Sequence, residues 1–171
     1  VTLTITSAGN TNYNSASVSQ NISIGQATPT LTITSANEMV FDTTMTAAVN
    51  TTASFGRGGN ITFSVFGGSG SATVDPNSGL ITPVQAGTIT LTASSAGDAD
   101  YNPATTNQLI SIYPATPTLT IISANATVVD GALQAILTTT ASQDIGTLSY
   151  AITNGDRGSA LVDGNGLLTA I

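Results

Sequence analysis

The feature that most constrains this chain is a long internal repeat. Residues 1–37 recur without a gap at residues 89–125, and 23 of the 37 aligned positions are identical. The stretch 27–33 is repeated letter for letter at 115–121. Self-similarity of this length at a fixed separation, here 88 residues, is typical of tandem arrays in which each repeat is one structural unit. The 171 residues therefore have room for about two repeats, each near the lower end of ordinary domain size.

The local pattern of side chains predicts β-strands. Apolar residues alternate with Thr and Ser in residues 1–6, 30–34, 61–65 and 88–92, as in strands with one buried and one solvent-facing side. In the complete middle copy we predict seven strands, near 29–35, 44–53, 60–66, 71–75, 79–84, 88–95 and 107–112. Seven short strands favour an all-β fold of tandem immunoglobulin-like antiparallel β-sandwiches.

The repeats are in permuted register. We predict that residues 1–24 are the C-terminal strands of a preceding module, that 26–112 form a complete module, and that 114–171 begin a following one. The junctions are short and carry the structural candidates Pro29, Pro114 and Pro117. Because proline restricts the backbone, we expect a semi-rigid rod. The chain opens inside a strand pattern without an initiator Met or a leader, so we expect it to be a window of a longer polypeptide.

The composition excludes several function classes. There is no Cys and no His, so disulfides, thiolate metal sites and the commonest general base are all missing. Two arginines face nine acidic residues, a balance that excludes binding to nucleic acid or to an anionic membrane surface. No apolar run is long enough for membrane insertion. Ser and Thr have no His or Lys to activate them, so we expect no enzyme and no cofactor. The uncharged polar surface indicates a secreted or cell-surface protein.

Acidic turns supply the only candidate metal ligands. Asp98 and Asp100 could chelate Ca²⁺, a cation that prefers several oxygen ligands. The first copy has asparagine at both positions, and a loop whose Asp side chains bond their own backbone is the favoured alternative. Asp75 and Asp163 resemble fragments of a Ca²⁺ loop but lack the downstream Glu, so hairpin turns are favoured there.

Two tyrosines occupy the same place in successive copies. Tyr13 and Tyr101 both follow the penultimate strand of a module. They could stack on a ligand. The favoured alternative is that each ring plugs the end of a sandwich and hydrogen-bonds through its hydroxyl.

Four motifs carry a family resemblance: Ala-Thr-Pro-Thr-Leu-Thr-Ile at 27–33, Ser-Ala-Thr-Val-Asp followed by Ser-Gly-Leu-Ile-Thr within 71–82, Ala-Gly-Thr-Ile-Thr-Leu-Thr-Ala at 86–93, and Ala-Gly-Asp-Ala-Asp-Tyr-Asn at 96–102. Together they resemble the bacterial Ig-like (Big) repeats of very long secreted or surface-anchored proteins. The first copy departs from the last motif, since its two acids are asparagines. The resemblance implies an immunoglobulin-like sandwich with a stalk, adhesin or surface-layer role, and it carries over no catalytic residue.

Incomplete modules at both ends suggest how copies associate. Each exposes an apolar face and unpaired strand edges. We expect residues 1–24 to complete the sandwich begun by 117–171 of an adjacent copy, which is either another chain or the next segment of a longer one. Such head-to-tail contacts do not close and would make a fibre. The alternative is an adhesin module that binds a surface glycan or host protein through loops such as 97–104.

Overall fold

The computed structural model describes residues 1–54, 56–128, 130–153 and 158–171. All regular structure in these residues is β-strand, so the predicted all-β class is confirmed. The described part of the chain contains no helix that could cross a membrane. In chain order the strands are β1 (Thr2–Ser7), β2 (Ala16–Asn21), β3 (Leu31–Ile33), β4 (Glu38–Val40), β5 (Met45–Thr46), β6 (Val49–Thr51), β7 (Ile61–Gly67), β8 (Ser71–Val74), β9 (Leu80–Gln85), β10 (Gly87–Ser95), β11 (Ala104–Tyr113), β12 (Leu119–Ile121), β13 (Ala132–Gln134), β14 (Leu137–Thr139), β15 (Ala160–Val162) and β16 (Leu167–Ala170).

The chain divides into two compact units. Unit 1 comprises Val1–Met39 and Thr44–Ile112, and unit 2 comprises Val40–Thr43 and Tyr113–Ile171. Residues 26–112, predicted as one complete module, thus lie mainly in unit 1, together with the β1–β2 hairpin.

The middle copy has sheets of order β4-β11-β10-β7, β3-β6 and β5-β9-β8. Since β5 and β6 follow one another along the chain, the two smaller sheets adjoin, an arrangement consistent with a β-sandwich. The inward residues of β10 show why these strands form a core: Ile89, Leu91 and Ala93 are completely buried, and the residues between them are not. The alternation of apolar and polar residues in the sequence is thus matched by an alternation of buried and half-buried residues along the strand.

The predicted strand at 44–53 is wrong as a single element. It is broken at Ala47 and Ala48, where the chain changes partners: Ala47 N donates to Gly79 O at 2.8 Å, whereas Ala48 O accepts from Thr34 N at 2.8 Å. β5 therefore pairs with β9 and β6 with β3. The prediction also missed β4, a three-residue strand too short to show alternation.

Unit 2 repeats part of this structure. Its sheets β12-β14 and β13-β16-β15 have the pairing of β3-β6 and β5-β9-β8. Leu119 pairs with Thr139 as Leu31 pairs with Thr51, both 88 residues earlier. The unusual positive φ of Asp42 (68°) recurs at Asp130 (60°).

Unit 2 contains no described counterparts of β4, β7, β10 or β11. Residues 148–153, which correspond to residues 61–66 of β7, have no assigned strand. All nine buried Ala, Ile, Leu and Met residues of the described chain lie between Leu31 and Ile112, so none lies in the 113–171 part of unit 2. The described part of that unit has counterparts of β3, β5, β6, β8 and β9 but no buried apolar core.

Candidate interaction surface

The hairpin β1–β2 repeats the hairpin β10–β11 but has no neighbouring strands like β4 and β7. Thr2 pairs with Asn21 and Ser7 with Ala16, and the pairs Thr90–Leu109 and Ser95–Ala104 lie 88 residues later on both strands. β1 and β2 form a sheet of two strands only, and all their residues are exposed. The same hairpin therefore occurs twice, once within a four-stranded sheet and once as a separate two-stranded sheet.

One face of this hairpin is apolar. Its side chains correspond by register to the inward residues of β10 and β11, and their exposed fractions are Val1 77%, Leu3 49%, Ile5 63%, Val18 65%, Ile22 42% and Ile24 79%. Five of the six counterparts are apolar and buried: Ile89, Leu91, Ala93 and Ile110 fully, and Ile112 with 2% exposed. The counterpart of Val18 is Thr106, which is half-buried. Side chains whose counterparts mostly lie in the core of the middle copy thus face solvent on a two-stranded ribbon. We call these six residues the hairpin face.

The opposite side of the hairpin is polar and internally satisfied. Thr2 Oγ1 donates to Asn21 Oδ1 at 2.9 Å, and the hydroxyls of Thr4 and Ser19 lie 2.8 Å apart. These cross-strand contacts hold the ribbon together from its wet side. The hairpin is therefore amphipathic. Its polar side chains bond one another across the strands, whereas the apolar side chains of the hairpin face remain exposed.

Unit 2 carries an apolar groove where a sandwich would have its core. The groove has a volume of about 280 Å³, and its apolar lining includes Ile121, Leu133, Tyr150, Ile152, Val162 and Leu168. Each of these residues comes from an element of unit 2 that has a counterpart around the core of the middle copy. We call this surface the unit 2 groove.

The Tyr150 ring has the position of Phe63. A Cβ added to Gly79 would lie 3.1 Å from Phe63 Cε2, and one added to Gly166 would lie 2.7 Å from Tyr150 Cε1. Both glycines also have positive φ, 72° and 79°. The aromatic ring therefore packs over the same turn in both copies, which aligns residues 148–153 with β7 at a separation of 87 residues.

The two predicted tyrosines lie in different surroundings. The Tyr101 hydroxyl accepts from Ser54 N and donates to Ser54 Oγ, both at 3.1 Å. Hydrogen bonding with the Ser54 side chain, and then with its amide, holds the pKa of Tyr101 below its usual value. Tyr13 is 76% exposed, and no described residue bonds its hydroxyl. Ser142, the counterpart of Ser54, instead donates to the Asp42 carboxylate.

The weak Ca²⁺ candidates bind the protein itself. Asp98 Oδ1 accepts from the amides of Asp100 (2.8 Å) and Tyr101 (2.9 Å), and its Oδ2 accepts from Gly58 N at 2.7 Å. Asp100 forms an ion pair with Arg57. Among the residues that the structure describes, no group of three or more acidic side chains could hold a metal ion. The geometry is that of a self-bonded turn.

Asp75 closes a hairpin in the same manner. Its Oδ1 accepts from Ser78 N at 2.7 Å and from Asn77 N at 3.0 Å. These bonds favour the carboxylate, so the backbone amide of Ser78, then the Ser78 hydroxyl and the Asn77 amide, lower the pKa of Asp75 from its ordinary value of 3.8. In the following copy, Asp163 Oδ1 accepts from Asn165 N at 2.9 Å.

The junction prolines differ in burial. Pro29 is buried, Pro117 is half-buried and Pro114 is exposed. Next to Pro29, Ala27 bridges Tyr101 in parallel fashion. Pro29 therefore belongs to the middle sandwich as well as to the junction.

Sequence reasoning located the repeat, but it did not identify the residues of the hairpin face or of the unit 2 groove. Those follow from the strand register, and the signal lies in the two separations of 88 and 87 residues. Comparison with protein-family models and with curated protein sequences finds no match to this chain.

Proposed function

We propose that this chain is a non-enzymatic extracellular structural protein whose immunoglobulin-like modules, similar to bacterial Ig-like repeats, stack head to tail into a stalk or filament. Its partner is another copy of itself. The proposal takes no cofactor and no substrate.

The strand order of the middle copy supports the immunoglobulin-like assignment. If β5 and β6 count as two halves of one strand, the sheets β3-β6 and β5-β9-β8 together make one layer. The sheet β4-β11-β10-β7 makes the other layer. The constant-type immunoglobulin sandwich has strands A, B, E and D in one sheet and C, F and G in the other. The order here has the same form, with β4 as a short additional edge strand.

A single observation carries the proposal: the chain exposes both halves of a module interface. The hairpin face repeats the residues that close the middle copy, and the unit 2 groove is open where such residues would lie. Surfaces that match the two sides of one core differ from each other, so their association is heterologous, and it builds an open filament when the rotation between copies does not close into a ring.

The hairpin face is large enough for the association to matter. Covering the exposed fractions of its six side chains would contribute about 7 kcal/mol at the usual value for burying aliphatic residues. The apolar lining of the groove adds to this, as do backbone hydrogen bonds at the new strand edges. Association itself costs about 4–15 kcal/mol. Apolar burial of this size supports assembly that depends on protein concentration.

Electron microscopy of the purified chain, prepared at several concentrations, tests the proposal. We expect elongated multimers that lengthen as the concentration rises. Compact particles of one chain mass at every concentration would contradict it.

A second candidate is an adhesin module that binds glycan. Within unit 1, a groove of about 340 Å³ places Tyr101 beside Arg57 and Asp100, and an aromatic face with charged neighbours suits a polar sugar ring. Glycan-array binding that disappears on Tyr101→Ala would favour this function. Fibres with no array binding would favour the structural one.

A further inference from the structure

Building on the proposed head-to-tail assembly, we infer that β1 and β2 of a second copy enter the unit 2 groove as one two-stranded insert, in the register that β10 and β11 hold in unit 1, and that residues 148–153 become a strand paired with β1. The proposed function requires only that copies join end to end. The inference specifies which residues face each other.

The register follows from the pairing of β10 with β7. In unit 1, Leu91 lies opposite Val65 and Ala93 opposite Phe63. Subtracting 88 residues on the donor side and adding 87 on the acceptor side places Leu3 opposite Ile152 and Ile5 opposite Tyr150. Both predicted pairs join apolar residues, and Ile152 and Tyr150 already line the groove.

The irregular conformation of residues 148–153 has a simple explanation in these terms. Their counterpart β7 is a seven-residue strand bonded to β10 in the four-stranded sheet. Without a neighbouring strand, an extended segment has no ladder to complete, and residues 148–153 have none assigned. Docking of β1 would supply that neighbour, as in other cases of strand addition to a sheet edge.

Two side-chain contacts of the middle copy have the same residue types at the corresponding positions of the hairpin and of unit 2. Gln108 Nε2 donates to Ser35 O at 3.1 Å, and Gln20 and Ser123 hold the corresponding positions. A second contact, from Asn102 Nδ2 to Thr28 Oγ1 at 3.0 Å, has both partners retained as Asn14 and Thr116. The hairpin therefore carries donors, and unit 2 carries acceptors, of the same two bonds.

An ion pair of the middle copy has neither of its two residues retained in unit 2 or in the hairpin. Arg57 pairs with Asp100 in the middle copy. The counterparts are Ile145 in unit 2 and Asn12 in the hairpin loop. Neither piece therefore carries one member of this ion pair without the other, which favours these two surfaces as partners of each other.

The occupant is a second copy rather than an unrelated apolar ligand. A small ligand could cover the groove, but it would not pair with the backbone of residues 148–153 or cover the hairpin face. The β1–β2 hairpin does both, since its register is that of the hairpin that already fills this place in unit 1, and its apolar positions match that hairpin except at Val18, where unit 1 has Thr106.

Cysteine cross-linking tests the register against a clean background, because the chain has no cysteine. Thr4 and Ala151 are predicted to lie directly opposite each other, as Thr92 and Ser64 do. Directly opposed residues of an antiparallel pair have Cα atoms about 4.5–5.5 Å apart, within reach of a disulfide. Positions two residues out of register lie beyond the roughly 7 Å that a disulfide can span.

One chain carries Thr4→Cys and a second carries Ala151→Cys. They are mixed, oxidised and run on a non-reducing gel. The matched control replaces Thr4→Cys with Thr6→Cys, a neighbour on the same polar side whose predicted partner is Ser149. We expect the Thr4–Ala151 mixture to give at least roughly tenfold more cross-linked heterodimer than the Thr6–Ala151 mixture. With Ser149→Cys as acceptor, the preference should reverse.

Three outcomes distinguish the inserted register of the hairpin from head-to-tail assembly itself. Multimers that form without the matched cross-links, or with the control pair preferred, overturn the inserted register and leave head-to-tail stacking intact. A chain carrying both Thr4→Cys and Ala151→Cys that closes on itself as a cross-linked monomer overturns the second copy as occupant. Failure of the unmodified chain to assemble at any concentration overturns the proposed function as well.

Discussion

Leu3 and Leu91 are the same residue at the same position of two copies, yet they should respond differently to truncation. Leu91 is completely buried in unit 1, whereas Leu3 is 49% exposed on the hairpin face. If Leu3 becomes buried only when another copy binds, then Leu3→Ala should weaken assembly while changing the folded chain little.

The magnitude follows from burial. Replacing a fully buried Leu by Ala costs about 2–5 kcal/mol through lost apolar transfer and the cavity left behind. About half of the Leu3 surface would be buried by docking, so about 2 kcal/mol of the association free energy depends on it. That loss corresponds to roughly 30-fold weaker self-association.

Sedimentation across a concentration series measures this effect directly, as a shift of the association midpoint to higher concentration. Thr4→Ala is the matched control: it is the next residue, it faces the polar side and its hydroxyl lies 2.8 Å from that of Ser19. We expect its midpoint to move less than about threefold, since an exposed contact of this kind contributes a few tenths of a kcal/mol. Equal effects of Leu3→Ala and Thr4→Ala would refute the assignment of the hairpin face.

Three further predictions concern stability. Leu91→Ala should lower the free energy of unfolding of unit 1 by about 3–5 kcal/mol, measured by urea denaturation, while Leu109→Ala on the exposed side of β11 changes it by less than about 1 kcal/mol. Asp75→Asn should flatten the pH dependence of the urea midpoint. The lowered pKa of Asp75 means that its carboxylate stabilises the fold above about pH 3.8, and this contribution is lost as the pH falls through the folded pKa; an equal acid dependence in both proteins would count against it. Gly87→Ala should destabilise unit 1 by at least about 1–3 kcal/mol, because its φ is 135° and a Cβ would lie 2.4 Å from Gly70 N. Gly25→Ala, where a Cβ meets nothing within 4 Å, should leave the melting temperature unchanged.

The strands predicted best are those whose alternation matches their burial. Residues 88–95 were predicted, and β10 spans Gly87–Ser95 with every second residue buried. The prediction failed at 44–53, where the pattern of apolar and Thr residues continues across the break between β5 and β6. Which sheet each half joins depends on the distant partners Gly79 and Thr34, and local alternation contains no information about them.

The candidate surface was only partly predictable. The repeat separation indicated that both ends hold incomplete modules, but the apolar positions of residues 1–24 look the same whether they are covered or exposed. Only the structure shows Ile5 and Ile24 in solvent while Ile110 is fully buried. The acidic loop shows the opposite case. Asp98 looked available as a ligand in the sequence, whereas both of its oxygens accept backbone amides.

Amide hydrogen exchange of residues 148–153 tests most directly whether the open sandwich is completed by another copy. These residues should exchange rapidly in dilute solution, where no strand pairs with them. They should become protected as the concentration rises, and Leu3→Ala should shift that protection to higher concentration. Exchange of this segment that stays equally fast in monomers and multimers would show that copies join without filling the groove, and would contradict the account.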